Sequence, residues 1–82
     1  GERGAERNRG GFDYATFWAR AGSAYGATPP GAARPSPMPG GSYGDSLAGL
    51  TLAGAISAAL FARERTGEAP VVDLSLLGMG MW

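Results

Sequence analysis

Apolar positions near the start of the chain predict a helix with an aromatic face. Apolar side chains recur there at intervals of three and four residues, which is the pattern of one helical face. This pattern predicts a helix over residues 14–25, with Asp13 as its N-cap and Gly26 at its end. Gly22 lies in its interior and lowers its helix propensity. The positions that share the face are Tyr14, Phe17, Trp18, Ala21 and Tyr25.

A later segment is apolar on all sides and predicts a buried helix. It begins at Asp45 or Ser46 and ends at about Arg65, and small residues separate its Leu, Ile and Phe side chains. Helices that are apolar all round are normally buried. The longest apolar run covers residues 47–62, which is short for a membrane span of about 20 residues. We therefore interpret it as a core helix, with Gly67 after its C-terminus.

The segments around this helix predict a long loop and a strand. Residues 26–44 are rich in Pro and Gly, and Pro interrupts both helices and central strands. Residues 71–77 alternate in polarity, which predicts a strand with Pro70 at its start. The order helix, loop, buried helix, strand predicts an α/β protein whose sheet lies mostly elsewhere. Because one strand leaves its edges unpaired, we expect that the chain does not fold stably alone.

Composition restricts the chemistry to carboxylates, hydroxyls and Arg. The chain of 82 residues has no Cys and no His, which removes thiol catalysis, His-based triads and most zinc sites. Seven basic and seven acidic residues give zero net charge, whereas nucleic-acid binding needs clustered cations. We therefore expect no metal, nucleic-acid or membrane partner. The absence of Cys is compatible with a reducing cytoplasm, which is the location we expect.

Asp45 is the sharpest candidate for chemistry, because it lies between a Gly-rich loop and the start of the buried helix. Helix N-termini have unpaired N–H groups and a dipole that favours negative charge. An Asp is ionised at neutral pH without a neighbouring base, and Gly44 removes side-chain bulk beside it. The alternative is that Asp45 only caps the helix. Capping by Ser46 would leave the Asp45 carboxylate free to act as a nucleophile.

Five stretches of sequence occur together: Gly-Phe-Asp at 11–13, Phe-Trp-Ala-Arg-Ala-Gly at 17–22, Gly-Asp-Ser-Leu-Ala-Gly-Leu at 44–50, Ala-Ala-Leu-Phe-Ala-Arg-Glu-Arg-Thr-Gly-Glu at 58–68 and Val-Val-Asp-Leu-Ser-Leu-Leu at 71–77. Together they resemble family III CoA transferases, also called the CaiB/BaiF family, which includes formyl-CoA transferases, carnitine-CoA transferases and α-methylacyl-CoA racemases. Complete members are several times longer than this chain. The resemblance implies that residues 1–82 are an internal fragment of the large domain, with 1–11 as a linker-like stretch and 12–82 as the resembling region.

The resemblance also implies a fold and a reaction. The fold would have a Rossmann-like large domain, a smaller domain and two interlocked chains in a homodimer. The reaction would transfer CoA from an acyl-CoA donor to a carboxylic acid through a covalent aspartyl intermediate, with Asp45 as the nucleophile. CoA would be a substrate, with no separate cofactor. Gly44, Phe12 and Asp13 map onto positions near the substrate, while the donor and acceptor acids stay open.

Two other interpretations remain. In the racemase branch, a His directly before the Asp of the first helix acts as an acid/base partner, but Phe12 occupies that position here, which favours transferase. Alternatively, the chain is a catalytically silent packing or dimer-interface element, which an Ala- and Gly-rich helix would also suit. The chain departs from the family at 67–70, where Gly-Glu-Ala-Pro replaces the common Gly-Glu-Gly-Gln, and in its Pro-rich loop.

Overall fold

The computed structural model describes residues 3–82, and this part of the chain forms four helices. Helix α1 is a π-helix over Asp13–Arg20, and α2 is a short α-helix over Ser23–Gly26. The long helix α3 covers Tyr43–Thr66, and the short helix α4 covers Leu76–Met81.

The predicted first helix consists of two segments instead of one. Gly22 has a left-handed φ of 96° and separates α1 from α2, a conformation that Gly adopts without steric cost. Helix α1 is also wound more widely than an α-helix, since the N–H of Ala21 donates to the carbonyl oxygen of Thr16, five residues earlier, at 3.0 Å. The glycine that the sequence places in the helix interior is therefore the residue at which the helix breaks.

The predicted N-cap role of Asp13 was wrong. Phe12 occupies the N-cap position in an extended conformation, and Asp13 is the first residue of α1. Its carboxylate accepts a hydrogen bond from α3 instead of from its own helix. The spacing identified a helix start correctly but did not identify the partner of the carboxylate.

Helix α3 begins earlier than predicted. Ser42 is the N-cap, with a left-handed φ of 60°, and the first intrahelical bond runs from the N–H of Ser46 to the carbonyl oxygen of Ser42 at 2.8 Å. Asp45 is therefore the third helical residue and does not open the helix. The predicted end is confirmed: Gly67 has a φ of 76° and its N–H donates to the carbonyl oxygen of Arg63 at 2.8 Å.

Small side chains of α3 face the rest of the chain, while large apolar ones face outward. Leu50 and Phe61 are 75% and 66% exposed. Within residues 3–82, the prediction of a helix buried on all sides is therefore wrong. Close approach of other backbones to α3 is possible because most residues on the inward face are Gly or Ala. The buried and half-buried positions on this face are Gly44, Ala48, Leu52, Ala55, Ala59 and Ala62.

By length and composition, α3 is long and apolar enough to cross a membrane. Its most apolar 18-residue window has a mean hydropathy of 1.5. The helix extends beyond residues 47–62 at both ends, so it is longer than the apolar run in the sequence indicates. Core helices of soluble proteins satisfy the same criterion, so the absence of a membrane partner stays a prediction.

A small core forms where α1, α3 and α4 meet. Phe17, Trp18 and Ala48 are its buried apolar residues, each 5–7% exposed. Helix α4 approaches α1 closely at Gly80, where a Cβ atom would lie 2.5 Å from the carbonyl oxygen of Phe17. The Ser23 hydroxyl lies 2.9 Å from that same oxygen and 3.0 Å from the carbonyl oxygen of Gly80. A core this small is the physical reason to expect that the chain depends on further contacts for stability.

The predicted strand is not present in the part of the chain that the structure describes. Residues 71–75 form no regular element, and the last two positions of the predicted strand, Leu76 and Leu77, begin α4. Ser75 is the N-cap of α4, and its hydroxyl accepts a hydrogen bond from the N–H of Gly78 at 3.0 Å. A strand exists only through hydrogen bonds to a neighbouring strand, and residues 3–82 contain none. The described chain is helical, and the α/β class stays a prediction.

The Pro-rich loop, residues 27–42, folds back onto α1 and α2. The indole N–H of Trp18 donates to the carbonyl oxygen of Ser36 at 3.0 Å. Ser36 also donates through its N–H to the Thr28 hydroxyl at 2.9 Å and through its own hydroxyl to the carbonyl oxygen of Ala27 at 2.8 Å. These bonds fix the loop that leads into α3.

Candidate active site

The candidate site lies at the N-terminus of α3, where α1 contacts it. Asp13 is 7% exposed, and its two carboxylate oxygens accept the N–H of Gly44 at 3.0 and 3.2 Å. The N–H of Gly44 precedes the first intrahelical hydrogen bond, so it has no partner within α3. A carboxylate of one helix thus caps the N-terminus of another.

Gly44 fits this contact because it has no side chain. A Cβ atom at Gly44 would overlap the carboxylate of Asp13 and would lie 2.6 Å from Cδ1 of Phe17. Sequence reasoning gave Gly44 the role of leaving space for a substrate. Within this chain, Asp13 and Phe17 fill that space, which gives the glycine a packing role that sequence reasoning missed.

Asp45 is exposed and directly follows this packed glycine. Among the described residues, no side chain or backbone group forms a hydrogen bond with its carboxylate, and the Ser42 side chain does not cap α3. Asp45 is therefore not engaged as a cap. The structure brings Asp13 and Gly44 into direct contact and leaves the neighbouring carboxylate accessible to solvent.

Aromatic rings hold the turn that precedes Asp45. The ring of Tyr43 lies edge-to-face with the rings of Phe17 and Trp18, at centroid distances of 6.2 and 6.3 Å. Such pairs are worth about 0.5–1.5 kcal/mol each beyond burial. Of the aromatic residues in or beside the first two helices, only Phe17 and Trp18 are buried. The others are largely exposed: Phe12 at 78%, Tyr14 at 57% and Tyr25 at 88%.

Two grooves line α3, and Asp45 lines neither of them. A groove of about 420 Å³ lies between residues 39–42 and the side of α3 that carries Tyr43, Leu47 and Leu50. A second groove of about 300 Å³ lies between the C-terminal half of α3 and residues 69–72. Asp45 is exposed to solvent within the described chain.

Among the described residues, shifted pKa values occur at Glu6 and Arg20. Glu6 accepts hydrogen bonds from Arg20 and Arg9, and these two guanidinium groups hold the pKa of Glu6 below its usual value of 4.5. Glu6 in turn raises the pKa of Arg20. The network joins the first residues of the described chain to the end of α1. Residues 3–82 contain no cluster of three or more acidic side chains suited to a metal ion.

Sequence comparison identifies the class of protein. CoA-transferase family III matches the chain over residues 1–82. The chain therefore belongs to this family, as the resemblance implied, and the match also covers residues 1–11, ahead of the resembling region at 12–82.

Two characterised relatives align along almost the whole chain. It is 35% identical over 82 residues to cinnamoyl-CoA:phenyllactate CoA-transferase of Clostridium sporogenes, covering 100% of this chain and 19% of that protein. It is also 35% identical over 85 residues to (R)-2-hydroxy-4-methylpentanoate CoA-transferase of Clostridioides difficile, covering 98% of this chain and 21% of that protein. The chain thus spans about one fifth of the length of these relatives. No solved structure matches it.

Proposed function

We propose that the enzyme containing this chain transfers CoA from an acyl-CoA to a carboxylic acid, with Asp45 as the nucleophile. Membership of family III supports the reaction, since the two relatives described above are both named CoA-transferases. One structural observation supports the residue. Asp45 is an exposed carboxylate in the first turn of a 24-residue helix, and Asp13 takes the neighbouring N–H.

The first half of the proposed reaction forms an aspartyl thioester. An Asp45 oxygen attacks the carbonyl carbon of the acyl-CoA, forming a C–O bond and breaking the C–S bond. The products are a mixed anhydride and the CoA thiolate. The thiolate then attacks the aspartyl carbonyl carbon of the anhydride, releasing the donor acid as its carboxylate and leaving CoA on Asp45.

The second half reverses these steps with the acceptor acid. The acceptor carboxylate attacks the aspartyl thioester and releases the CoA thiolate. The thiolate attacks the acceptor carbonyl of the new anhydride, which forms the product acyl-CoA and regenerates the Asp45 carboxylate. No net proton is needed, which suits a nucleophile that is already ionised. The dipole at the start of α3 favours the negative charge that develops on the carbonyl oxygen during each attack.

The family resemblance also implies further properties of the intact enzyme, which we include in the proposal. CoA is a substrate, and we propose no additional cofactor or metal. The intact enzyme is proposed to be a cytoplasmic, interlocked homodimer of α/β chains. The exposed large apolar side chains of α3 support the view that other parts of the protein cover this helix.

Two alternatives give different results in simple assays. A racemase would exchange the proton next to the thioester carbonyl, and deuterium uptake from heavy water would reveal it. Phe12, which occupies the position of the racemase His, supports the transferase instead. A purely structural role for this segment predicts that changing Asp45 to Asn leaves CoA transfer intact.

Mass spectrometry of the intact enzyme tests the proposal. The substrates to begin with are the CoA thioesters and free acids named for the two relatives. After incubation with acyl-CoA and rapid quenching, we expect an adduct on the peptide that contains Asp45. We expect Asp45→Asn to abolish the adduct and to lower CoA transfer by at least about a thousandfold, as loss of a covalent nucleophile does.

Asp73→Asn is the matched control, because Asp73 is an exposed carboxylate outside the helices. We expect it to behave as the wild type does. An adduct on another residue, or transfer that survives in the Asp45 variant, would exclude Asp45 as the nucleophile.

A further inference from the structure

We propose that Asp13 is a positioning residue for Asp45: its buried carboxylate holds the first turn of α3 and thereby fixes the nucleophile. This inference rests on the proposed function of Asp45. Asp13 itself need not contact the substrate, since its two oxygens are directed at the N–H of Gly44.

The first argument is the hydrogen bonding of the N-terminus of α3. A local cap would normally satisfy N–H groups in the first turn, but Ser42 is left-handed and its side chain makes no such bond. Asp13 supplies the missing acceptor from 31 positions away in sequence. The order of this turn therefore depends on a residue of α1.

The second argument is the rigidity of the holding group. Asp13 is 7% exposed, and it precedes the buried pair Phe17 and Trp18 on the same helix. The Phe17 ring and the Asp13 carboxylate both occupy the space that a side chain at Gly44 would fill. Since packed interiors leave little room for displacement, a shift of Gly44 would require α1 to move as well.

The third argument concerns charge. Unpaired N–H groups and the helix dipole attract an anion to the start of α3, and Asp45 is the acidic residue in that turn. Asp13 already provides an anion there, so the Asp45 carboxylate is not required as a cap. A carboxylate without N–H partners is the better nucleophile. Asp13 thus both fixes the position of Asp45 and leaves its oxygens unengaged.

The expected effect follows from the sensitivity of attack geometry. Misplacement of a reacting group by about 1 Å can cost about a hundredfold in rate. We expect Asp13→Ala to slow adduct formation on Asp45 by about 10- to 100-fold per folded molecule. Asp13→Asn keeps the shape and one acceptor oxygen, so we expect it to slow adduct formation by only about three- to tenfold relative to the wild type.

The experiment measures single-turnover adduct formation by quenched mass spectrometry on the intact wild-type enzyme and both variants. KM for the acyl-CoA is expected to change by less than about threefold, because the lost interaction affects the attacking group and not substrate binding. Hydrogen exchange at the peptide containing Gly44 is expected to rise in Asp13→Ala and much less in Asp13→Asn.

Ser23→Ala is the matched control for stability. It removes a part-buried hydroxyl that contacts carbonyl oxygens of α1 and α4, away from the start of α3. We expect it to lower thermal stability without changing the rate of adduct formation per folded molecule. A general loss of packing would affect this variant and Asp13→Ala in the same way.

Each result decides the inference. A normal rate in folded Asp13→Ala overturns it, and so does an Asp13→Asn variant slowed by more than about tenfold, since that would make the carboxylate itself part of the chemistry. If Asp13→Ala does not fold, Asp13→Asn alone carries the test: slowing by about three- to tenfold supports positioning, and an unchanged rate overturns it. If wild-type enzyme forms no adduct on Asp45, the proposed function fails first and this inference falls with it. An adduct that is unaffected by Asp13 variants refutes only the positioning role.

Discussion

Replacing Gly44 by Ala adds a single methyl group at the contact between α1 and α3. The new Cβ atom would lie 2.6 Å from Cδ1 of Phe17 and would overlap the Asp13 carboxylate. Carbon atoms in contact prefer separations of about 3.5–4.0 Å. Relief of the overlap therefore requires a displacement of about 1 Å by a buried ring and a buried carboxylate.

The size of the effect can be estimated from the two interactions affected. Overpacking a filled interior costs about 1–3 kcal/mol. Displacement of Asp13 leaves the N–H of Gly44 without its acceptor, which costs about 1–3 kcal/mol more. We expect Gly44→Ala to lower the free energy of unfolding by about 2–6 kcal/mol, a large part of the 5–15 kcal/mol typical of a domain.

Denaturant unfolding of the intact enzyme measures this loss, with Gly49→Ala as the matched control. Gly49 lies in the same helix, and a Cβ atom there meets no other atom within 4 Å. Because Ala has the higher helix propensity, the control is expected to gain up to about 1 kcal/mol. If Gly44→Ala were as stable as the wild type, the contact between Asp13, Phe17 and Gly44 would not exist as described.

Two further predictions concern the segments around the site. Trp18→Phe removes the indole N–H that donates to Ser36, so we expect a loss of about 1 kcal/mol and faster cleavage of residues 27–42 by a non-specific protease; an unchanged cleavage rate would contradict this. The hydrogen bond from Arg20 is the largest cause of the lowered pKa of Glu6. The stabilisation from the ionised Glu6 side chain is therefore present above its unfolded pKa and is lost as pH falls through the lower folded pKa. Glu6→Gln should therefore flatten the acid side of the stability profile at low salt, and a difference that survives 1 M salt would argue against an exposed ion pair, since screening acts within about 3 Å there.

Local signals in the sequence predicted the positions of chain breaks well. Gly67 ends α3, and the Pro-rich stretch forms the loop that precedes α3. Gly22, which lowers helix propensity, is where the first helix divides. These outcomes depend on the backbone preferences of single residues, which is why sequence alone is enough to predict them.

Contacts between distant residues were not predictable in this way. The acceptor of the Gly44 N–H is Asp13, 31 positions away, and a helix-start pattern gives Asp13 only a local cap role. The inward face of α3 was also not predictable, because apolar residues on every side of the helix leave no periodicity that identifies it. The structure resolves both points: Gly44 faces α1 and Ala48 is buried, whereas Leu50 faces outward. Whether residues 71–77 form a strand was not predictable either, because a strand needs a partner strand and residues 3–82 contain none.

The adjacent Gly44 and Asp45 illustrate how helix geometry joins packing to chemistry. Successive residues of an α-helix are about 100° apart around its axis. Once Gly44 is fixed against α1 by Asp13 and Phe17, Asp45 must therefore lie on the neighbouring side of α3, outside that contact. The glycine serves the contact between helices, and the carboxylate is exposed as its consequence. An alanine at position 44 would thus affect Asp45 through the helix backbone, without any change in the space directly in front of the carboxylate.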